Sequence, residues 1–175
     1  KAVFEVAISD RPGRVSRRER LQRAGCLPFM AQQPAALVVM EACGSSHYWG
    51  RKLEELGHRV SLLPPHQVRP YVKGNKTDRT DTAGLLEADR CPGLSSVPVK
   101  SADQQGIQAL HRVREHCKSA RTASINLLRG LLREFGIVFA RGAAQVRPAV
   151  LAALEDADNE LPMYLRQSMD DILDK

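Results

Sequence analysis

Apolar and polar positions alternate along AVFEVAIS (2–9), the two-residue period of a half-buried strand. DRPGR (10–14) reads as a turn, and a short strand around Val15 would complete a hairpin. RERLQRAGCLPFMAQQ (18–33) has helical spacing, with Gly25 and Pro28 as points of interruption. AALVVME (35–41) is nearly all apolar, which suits a strand covered on both faces, as in parallel sheets. CGSS (43–46) turns the chain, and Ser45 or Ser46 is placed to N-cap the next helix. HYWGRKLEELG (47–57) is that helix, with Gly57 where helices end in the left-handed region. HRVSLLPP (58–65) is a further strand stopped by prolines. Residues 35–65 therefore read β-α-β, a parallel pair with a right-handed crossover.

The pattern then becomes helical. HQVRPYVKGN (66–75) is a short helix or turn ending near Gly74, and TDRTDTAGLLEADR (77–90) is a helix with a polar start. CPGLSSVPVK (91–100) is a proline-rich connection. Ser101 with Gln104 forms a capping-box pattern. From there Ile107, Leu110, Val113, Cys117, Ala120, Ser124 or Ile125, Leu128 and Leu131 recur at steps of three and four up to about Phe135. That spacing predicts one long amphipathic helix, a candidate coiled coil. Its polar face is basic: Lys100 to Arg133 holds seven Lys or Arg against Asp103 and Glu115. After Gly142 the spacing is helical again but acidic. The organisation expected is an α/β domain over 1–92, a linker and long basic helix over 93–140, and a helical acidic tail over 141–175.

Charge sharpens this outline. The 175 residues carry a net +6, but residues 154–175 hold seven acids and two bases. The rest of the chain keeps 24 of the 26 bases and 13 of the 20 acids, a net +11. A body that basic suits a polyanionic partner, above all nucleic acid, although a solvated arginine-rich surface has the same composition. Six arginines between Arg11 and Arg23 fit either phosphate contact or a solvated face. Cys26, Cys43, Cys91 and Cys117 have no CxxC spacing and read as thiols of a reducing cytoplasm. No run is apolar over the roughly 18 residues of a membrane span, and no signal peptide is visible in a chain that opens on Lys1. Neither GxGxxG nor GxxxxGK[ST] is present, so nothing supports a nucleotide-dependent metabolic enzyme. CGSSH is not a nucleophile elbow, and the five histidines have no metal-ligand spacing.

Three acids remain as candidate chemistry. Glu41 closes the buried strand, and ligands of open α/β sheets gather at the carboxyl ends of strands. Asp78 and Asp81 stand at i and i+3 and share a helix face. Two readings stay open for them. They cap a helix and favour its dipole, Asp78 as N-cap with Asp81 at N3, or with Glu41 they hold hard divalent cations for phosphodiester chemistry. Lys73, Lys76 and Arg79 flank the pair as candidate phosphate contacts.

These residues carry a family resemblance. VVMEACGSSHYWGRKLEELGHRVSLLPPHQVRPYVKGNKTDRTDTAGLLEA (38–88) and VPVKSADQQGIQALHRVREHCKSARTASINLLRGLLREFGIV (97–138) resemble the N-terminal half of transposases of the insertion-sequence 110 type, including the 1111 branch. These are RNA-guided DNA recombinases of mobile elements. The resemblance implies a RuvC-like, RNase H-type mixed sheet followed by the long helix, with an acidic DEDD tetrad. Glu41 matches the second acid, Asp78 the third and Asp81 the fourth. It implies Mg2+ at that site and metal-dependent DNA strand cleavage and transfer. It also implies DNA and a structured guide RNA as partners, homo-oligomeric assembly, and work on the bacterial nucleoid in the cytoplasm. Arg114, Lys118 and Arg121 on the long helix join Lys73, Lys76 and Arg79 as expected nucleic-acid contacts. Lys1 matches the lysine of a D-x-(A/S)-K stretch, so the first acid is expected just upstream of it, on a first strand lying between the hairpin and the parallel pair. The serine nucleophile is expected in a domain beyond Lys175. The chain thus reads as a fragment truncated at both ends, able to bind nucleic acid without completing strand transfer. A non-catalytic nucleic-acid-binding or oligomerisation module is the other reading.

Overall fold

The structure, a computed structural model, describes residues 2–11, 14–72 and 77–173. The chain forms two compact units, Lys1–Gly106 and Ile107–Lys175. The first is α/β. Strand β1 (Val3–Ile8) pairs antiparallel with β2 (Arg17–Gln22), in a register that sets Phe4 opposite Leu21. A 3-10 turn at Arg23–Gly25 leads into α1 (Cys26–Ala31). Strand β3 (Leu37–Glu41), helix α2 (Ser46–Glu55) and strand β4 (Arg59–Leu63) form the expected parallel β-α-β unit. Helix α3 (Pro65–Val68), a 3-10 turn at Arg69–Tyr71 and helix α4 (Asp78–Asp89) follow. Among the described residues the strands form two separate two-stranded sheets, β1–β2 and β3–β4.

The helix expected over 18–33 is corrected. RRERLQ is a strand, and helix begins only at Cys26. Pairing with β1 wins because the hairpin gives all six residues of RRERLQ a partner strand, Val3 opposite Gln22 through Ile8 opposite Arg17, whereas Gly25 interrupts the competing helix. Pro28 falls in the first turn of α1, where the missing N–H has no intrahelical partner in any case. The serine cap is also corrected. Ser45 occupies the N-cap position of α2 without a side-chain bond, and the Ser46 hydroxyl donates to the Cys43 carbonyl at 2.8 Å. Gly57 does end α2 as expected. Its φ is +86°, and the paired bonds from Gly57 N–H to Glu54 O and from His58 N–H to Leu53 O make a Schellman closure.

The β3–β4 pair is covered on both faces. On one side Val38, Met40 and Val60 pack against the buried cluster of Cys26, Met30, Trp49 and Leu53. Phe4 joins this cluster, its ring edge-on to Trp49 at 4.8 Å, which ties the hairpin to α2. On the other side Val39 packs against Leu63, Val68 and Ala88, with Tyr71, Val72, Leu85 and Leu94 around them. Gly84 lets α4 come this close, because a Cβ there would stand 2.7 Å from a Val72 methyl and 3.3 Å from its backbone. The proline-rich connection adds a single antiparallel bridge, Val97 to Leu62.

The second unit is helical. Helix α5 (Ala102–Glu134) starts on the expected capping box: Ser101 N–H donates to the Gln104 side-chain oxygen at 3.0 Å, and Gln104 N–H donates to the Ser101 hydroxyl at 3.1 Å. It runs unbroken through Cys117. Leu128 and Leu132 bury against Val146, Val150 and Ala153 of α6 (Val146–Glu155), Leu161, and Met169 of α7 (Met163–Leu173). Arg166 fastens the end of α6, donating to the carbonyls of Ala153 at 3.1 Å and Leu154 at 2.8 Å. Basic donors suit that end of the helix dipole.

His58 fixes where the parallel pair begins. It is 4% exposed; its Nδ1 accepts the Ala36 N–H at 3.3 Å, and its Nε2 lies 3.1 Å from the Met30 carbonyl, which it meets as donor. His58→Ala removes both bonds; the Met30 carbonyl keeps the Gln33 N–H at 3.0 Å, whereas the Ala36 N–H loses its partner, at a cost of about 1–3 kcal/mol. The variant should lose about 1–3 kcal/mol in urea unfolding, whereas His116→Ala, on the exposed face of α5, should be unchanged.

Candidate functional site

Side chains of a strand alternate between faces. Val38 and Met40 take the Trp49 side of β3 and Val39 takes the α4 side, so Glu41 falls on the α4 side as the strand ends. Helix α4 packs along β3 and β1 and against the turn after α3. The result is an open cleft of about 760 Å³ lined by Glu41, Pro65, His66, Val68, Arg69, Val72 and Asp81. Glu41 and Asp81, 40 residues apart in sequence, thus share one cleft, and both are half-buried.

The capping question has a clear answer. Thr77 is the N-cap of α4 and Thr80 is N3. Thr80 N–H donates to the Thr77 hydroxyl at 3.2 Å, and Thr77 N–H donates to the Thr80 hydroxyl at 2.9 Å. Asp78 is therefore N1 and Asp81 is N4. Neither caps the helix, although both sit in the first turn, where the dipole favours negative charge. Asp78 is exposed and is not among the residues lining the cleft. Among the described residues no three His, Cys, Asp or Glu side chains gather as one metal-binding group. Two carboxylates on an open cleft nevertheless match the donor chemistry of magnesium, which commonly takes one or two carboxylates and fills its remaining positions with water and substrate phosphate.

The basic residues are distributed. Arg79 is exposed, and its backbone carbonyl accepts from Arg18 at 3.3 Å; Arg18 also donates to the Thr82 hydroxyl at 2.9 Å, so β2 steadies the first turns of α4. Lys73 and Lys76 lie outside the described residues. Arg114, Lys118 and Arg121 are exposed on α5. The first two contact Glu115 at 3.4 and 3.3 Å, loose surface pairs of the kind that contribute under about 1 kcal/mol. The four cysteines are free, with burial raising the Cys26 thiol pKa. Sequence reasoning missed His66 and Arg69. The usable signal was Pro64–Pro65, which starts a short helix directly off the end of β4 and so turns that segment over the carboxyl edge of the pair.

Comparison with known proteins bears on this arrangement. The DEDD transposase model of the IS110 family, described as a transposase, matches residues 4–137. A probable family 20 transposase of Pseudomonas aeruginosa is 47% identical over 173 residues, covering 99% of this chain and 50% of that protein. The transposase for insertion sequence element IS1328 of Yersinia enterocolitica is 36% identical over 165 residues, 94% of this chain and 48% of its own length. The transposase for insertion sequence element IS1111A of Coxiella burnetii is 38% identical over 156 residues, 87% of this chain and 43% of its own length. The chain thus spans about half the length of the curated relatives it matches. With a family match across most of its length and an α/β unit followed by a long helix, the chain belongs to the IS110 family of DEDD transposases.

Proposed function

We propose that this chain supplies the acidic half of a bacterial insertion-sequence transposase, which cleaves and transfers DNA strands with Mg2+ at the Glu41–Asp81 cleft. The observation that carries this reading is the meeting of Glu41 and Asp81, from separate elements, on one cleft that also holds Arg69 and His66. Glu41 and Asp81 would hold the cation, with Asp78 contributing as the family resemblance implies. A bound divalent ion lowers the charge of a phosphodiester and activates the attacking oxygen. Arg69 supplies a fixed positive charge on the cleft wall for a phosphate oxygen. His66 offers a hydrogen bond beside it. Thr77 and Thr80 hold the first turn of α4 in place through their reciprocal capping box. Lys73, Lys76, Arg79, Arg114, Lys118 and Arg121 are the proposed contacts to DNA or to a guide RNA.

Self-association belongs to the same proposal. Ile107 and Val113 are 58% exposed and Leu110 is 70% exposed, along one stripe of α5. A soluble helix that leaves its apolar stripe open suits a matching stripe on a second copy. Among the described residues no helix is long and apolar enough to cross a membrane, and the proposed place of action is nucleoid DNA in the bacterial cytoplasm. A non-catalytic nucleic-acid-binding and oligomerisation module is the second reading; what favours it is that, among the described residues, two carboxylates and not three line the cleft.

In 15N-labelled protein, Mn2+ should broaden the amide signals around Glu41, Asp81 and Arg69 and spare Arg114. Glu41→Gln or Asp81→Asn should abolish that pattern, and in the full-length transposase each should lower DNA cleavage at least about 100-fold, the scale of an electrostatic catalytic group. Thr77→Ala should instead cost about 1 kcal/mol of stability and keep the broadening. Broadening confined to α5 would exclude the cleft as the metal site.

In sedimentation equilibrium the chain should associate, and Leu110→Lys should weaken association at least about tenfold, because a charged group replaces a side chain whose full burial contributes about 1.5–3 kcal/mol. A wild-type chain that stays monomeric at every concentration removes the second copy from the proposal.

A further inference from the structure

Away from the cleft, three basic side chains crowd one spot on α2 and the entry to α5. The Lys100 backbone N–H donates to His47 Nδ1 at 3.2 Å. The Lys100 ammonium reaches round the same ring to lie 3.4 Å from His47 Nε2. Arg51, one turn along α2, donates to the Lys100 carbonyl at 2.6 Å and to the Gln105 side-chain oxygen at 2.7 Å. Gly50 lets this segment lie close, since a Cβ there would stand 2.9 Å from a Val99 methyl.

His47 Nδ1 accepts a backbone N–H, so it has no proton of its own. A neutral ring must then carry its proton on Nε2. Desolvation by burial, with Lys100 and Arg51 beside it, lowers the His47 pKa from its ordinary value, which keeps the ring neutral. The Nε2–H and the Lys100 ammonium therefore face each other as two donors with no acceptor between them. Two donors at that separation are held apart from a hydrogen bond and want one shared acceptor. Neither Lys100 nor Arg51 forms an ion pair with a carboxylate among the described residues. Both His47 and Lys100 are partly exposed, so an acceptor from solution can reach them.

We propose that His47 Nε2–H and the Lys100 ammonium form a phosphate-binding site that takes a backbone phosphodiester of nucleic acid. A phosphate oxygen can accept from both donors at once, and Arg51, whose Nη1 is held by Lys100 O and the Gln105 side chain, keeps the pair in place and adds positive potential. The site is separate from the acidic cleft. It anchors the strand by charge and not by base identity. Its backbone assignment rests on the nucleic-acid reading above, whereas the donor pair does not.

Lys100→Gln tests it cleanly, because both structural bonds of Lys100 use its backbone and survive the change. Lys52→Gln, on the same helix as His47 and paired with Glu55 at 2.7 Å, is the control. Long-range 1H–15N spectra should show His47 as the Nε2–H tautomer; an Nδ1–H tautomer overturns the site. Inorganic phosphate, compared with chloride at equal ionic strength, should shift the His47 ring signals in the wild type and in Lys52→Gln, and not in Lys100→Gln. Equal shifts in all three, or none in the wild type, overturn it. This arm reads out even if the chain binds no nucleic acid, in which case the functional proposal fails separately. With DNA and RNA duplexes, Lys100→Gln should reduce the slope of log K against log salt by about 0.9, the value for one lost phosphate contact, with Lys52→Gln unchanged. A phosphate effect at His47 with an unaltered slope would mean a site for free phosphate esters, and would overturn the backbone assignment.

Discussion

The register of the β3–β4 pair is the constraint on which the candidate site depends. Because side chains alternate, a slip of one residue along β3 would move Val38 and Met40 off the Trp49 cluster and turn Glu41 away from α4. Burial on both faces is what forbids the slip, since either alternative register strands apolar side chains in the wrong layer. Polar bonds hold both ends of the pair. At the start, His58 links the Ala36 N–H with the Met30 carbonyl. At the finish, the Ala42 N–H donates to the Leu63 carbonyl at 2.8 Å. Glu41 is the residue just before that last bond, so its backbone is fixed while its side chain remains at the mouth of the cleft.

Helix α4 answers to the same constraint from the other side. The Thr77–Thr80 box fixes its first residue, Gly84 sets its distance from Val72, and Ala88 is wholly buried beside Leu63. With N-cap, mid-helix spacing and C-terminal packing all determined, the rotation of the helix has little freedom, and Asp81 is carried to the cleft while Asp78 is left outside. A carboxylate one turn from a cap is thus recruited by tertiary packing. The pattern of acids alone could not distinguish Asp81 from Asp78, because i and i+3 share a helix face in any isolated helix.

This separates what the sequence made legible from what it did not. The β-α-β unit, the Gly57 closure and the span of α5 were readable because each rests on a local signal: an apolar run, a glycine at C′, a capping box with three-and-four spacing. The second hairpin strand was expected around Val15 and lies instead at Arg17–Gln22; its place was not readable, since RRERLQ carries only Leu21 as an apolar anchor and owes its conformation to pairing with β1. The threonine cap was passed over because charge near a helix start draws attention to aspartate, although Thr also ranks as a good N-cap. His66 and Arg69 were invisible for another reason. Their place on the cleft comes from the direction in which Pro64–Pro65 sends the chain after β4, and direction is a property of the fold. The family, by contrast, was legible from extended runs of residues.

Helix α5 shows one sequence period serving two environments. From Leu128 onward the stripe is buried under α6 and α7, and Leu132 is fully inaccessible. From Ile107 to Val113 the same stripe lies open. Periodicity fixes which face is apolar and is silent about what covers it. The open part also differs in its polar flank, where Arg114, Lys118 and Arg121 meet a single acid, Glu115. If two copies joined along the stripe, those flanks would bring like charges together, and exposed like-charge pairs oppose association by a few tenths of a kcal/mol each in a helix. Burial of the aliphatic stripe would exceed that opposition, at about 0.8 kcal/mol per buried methylene. The residual repulsion would be relieved by a polyanion lying across both flanks, so assembly on α5 and binding of a phosphate backbone would reinforce one another.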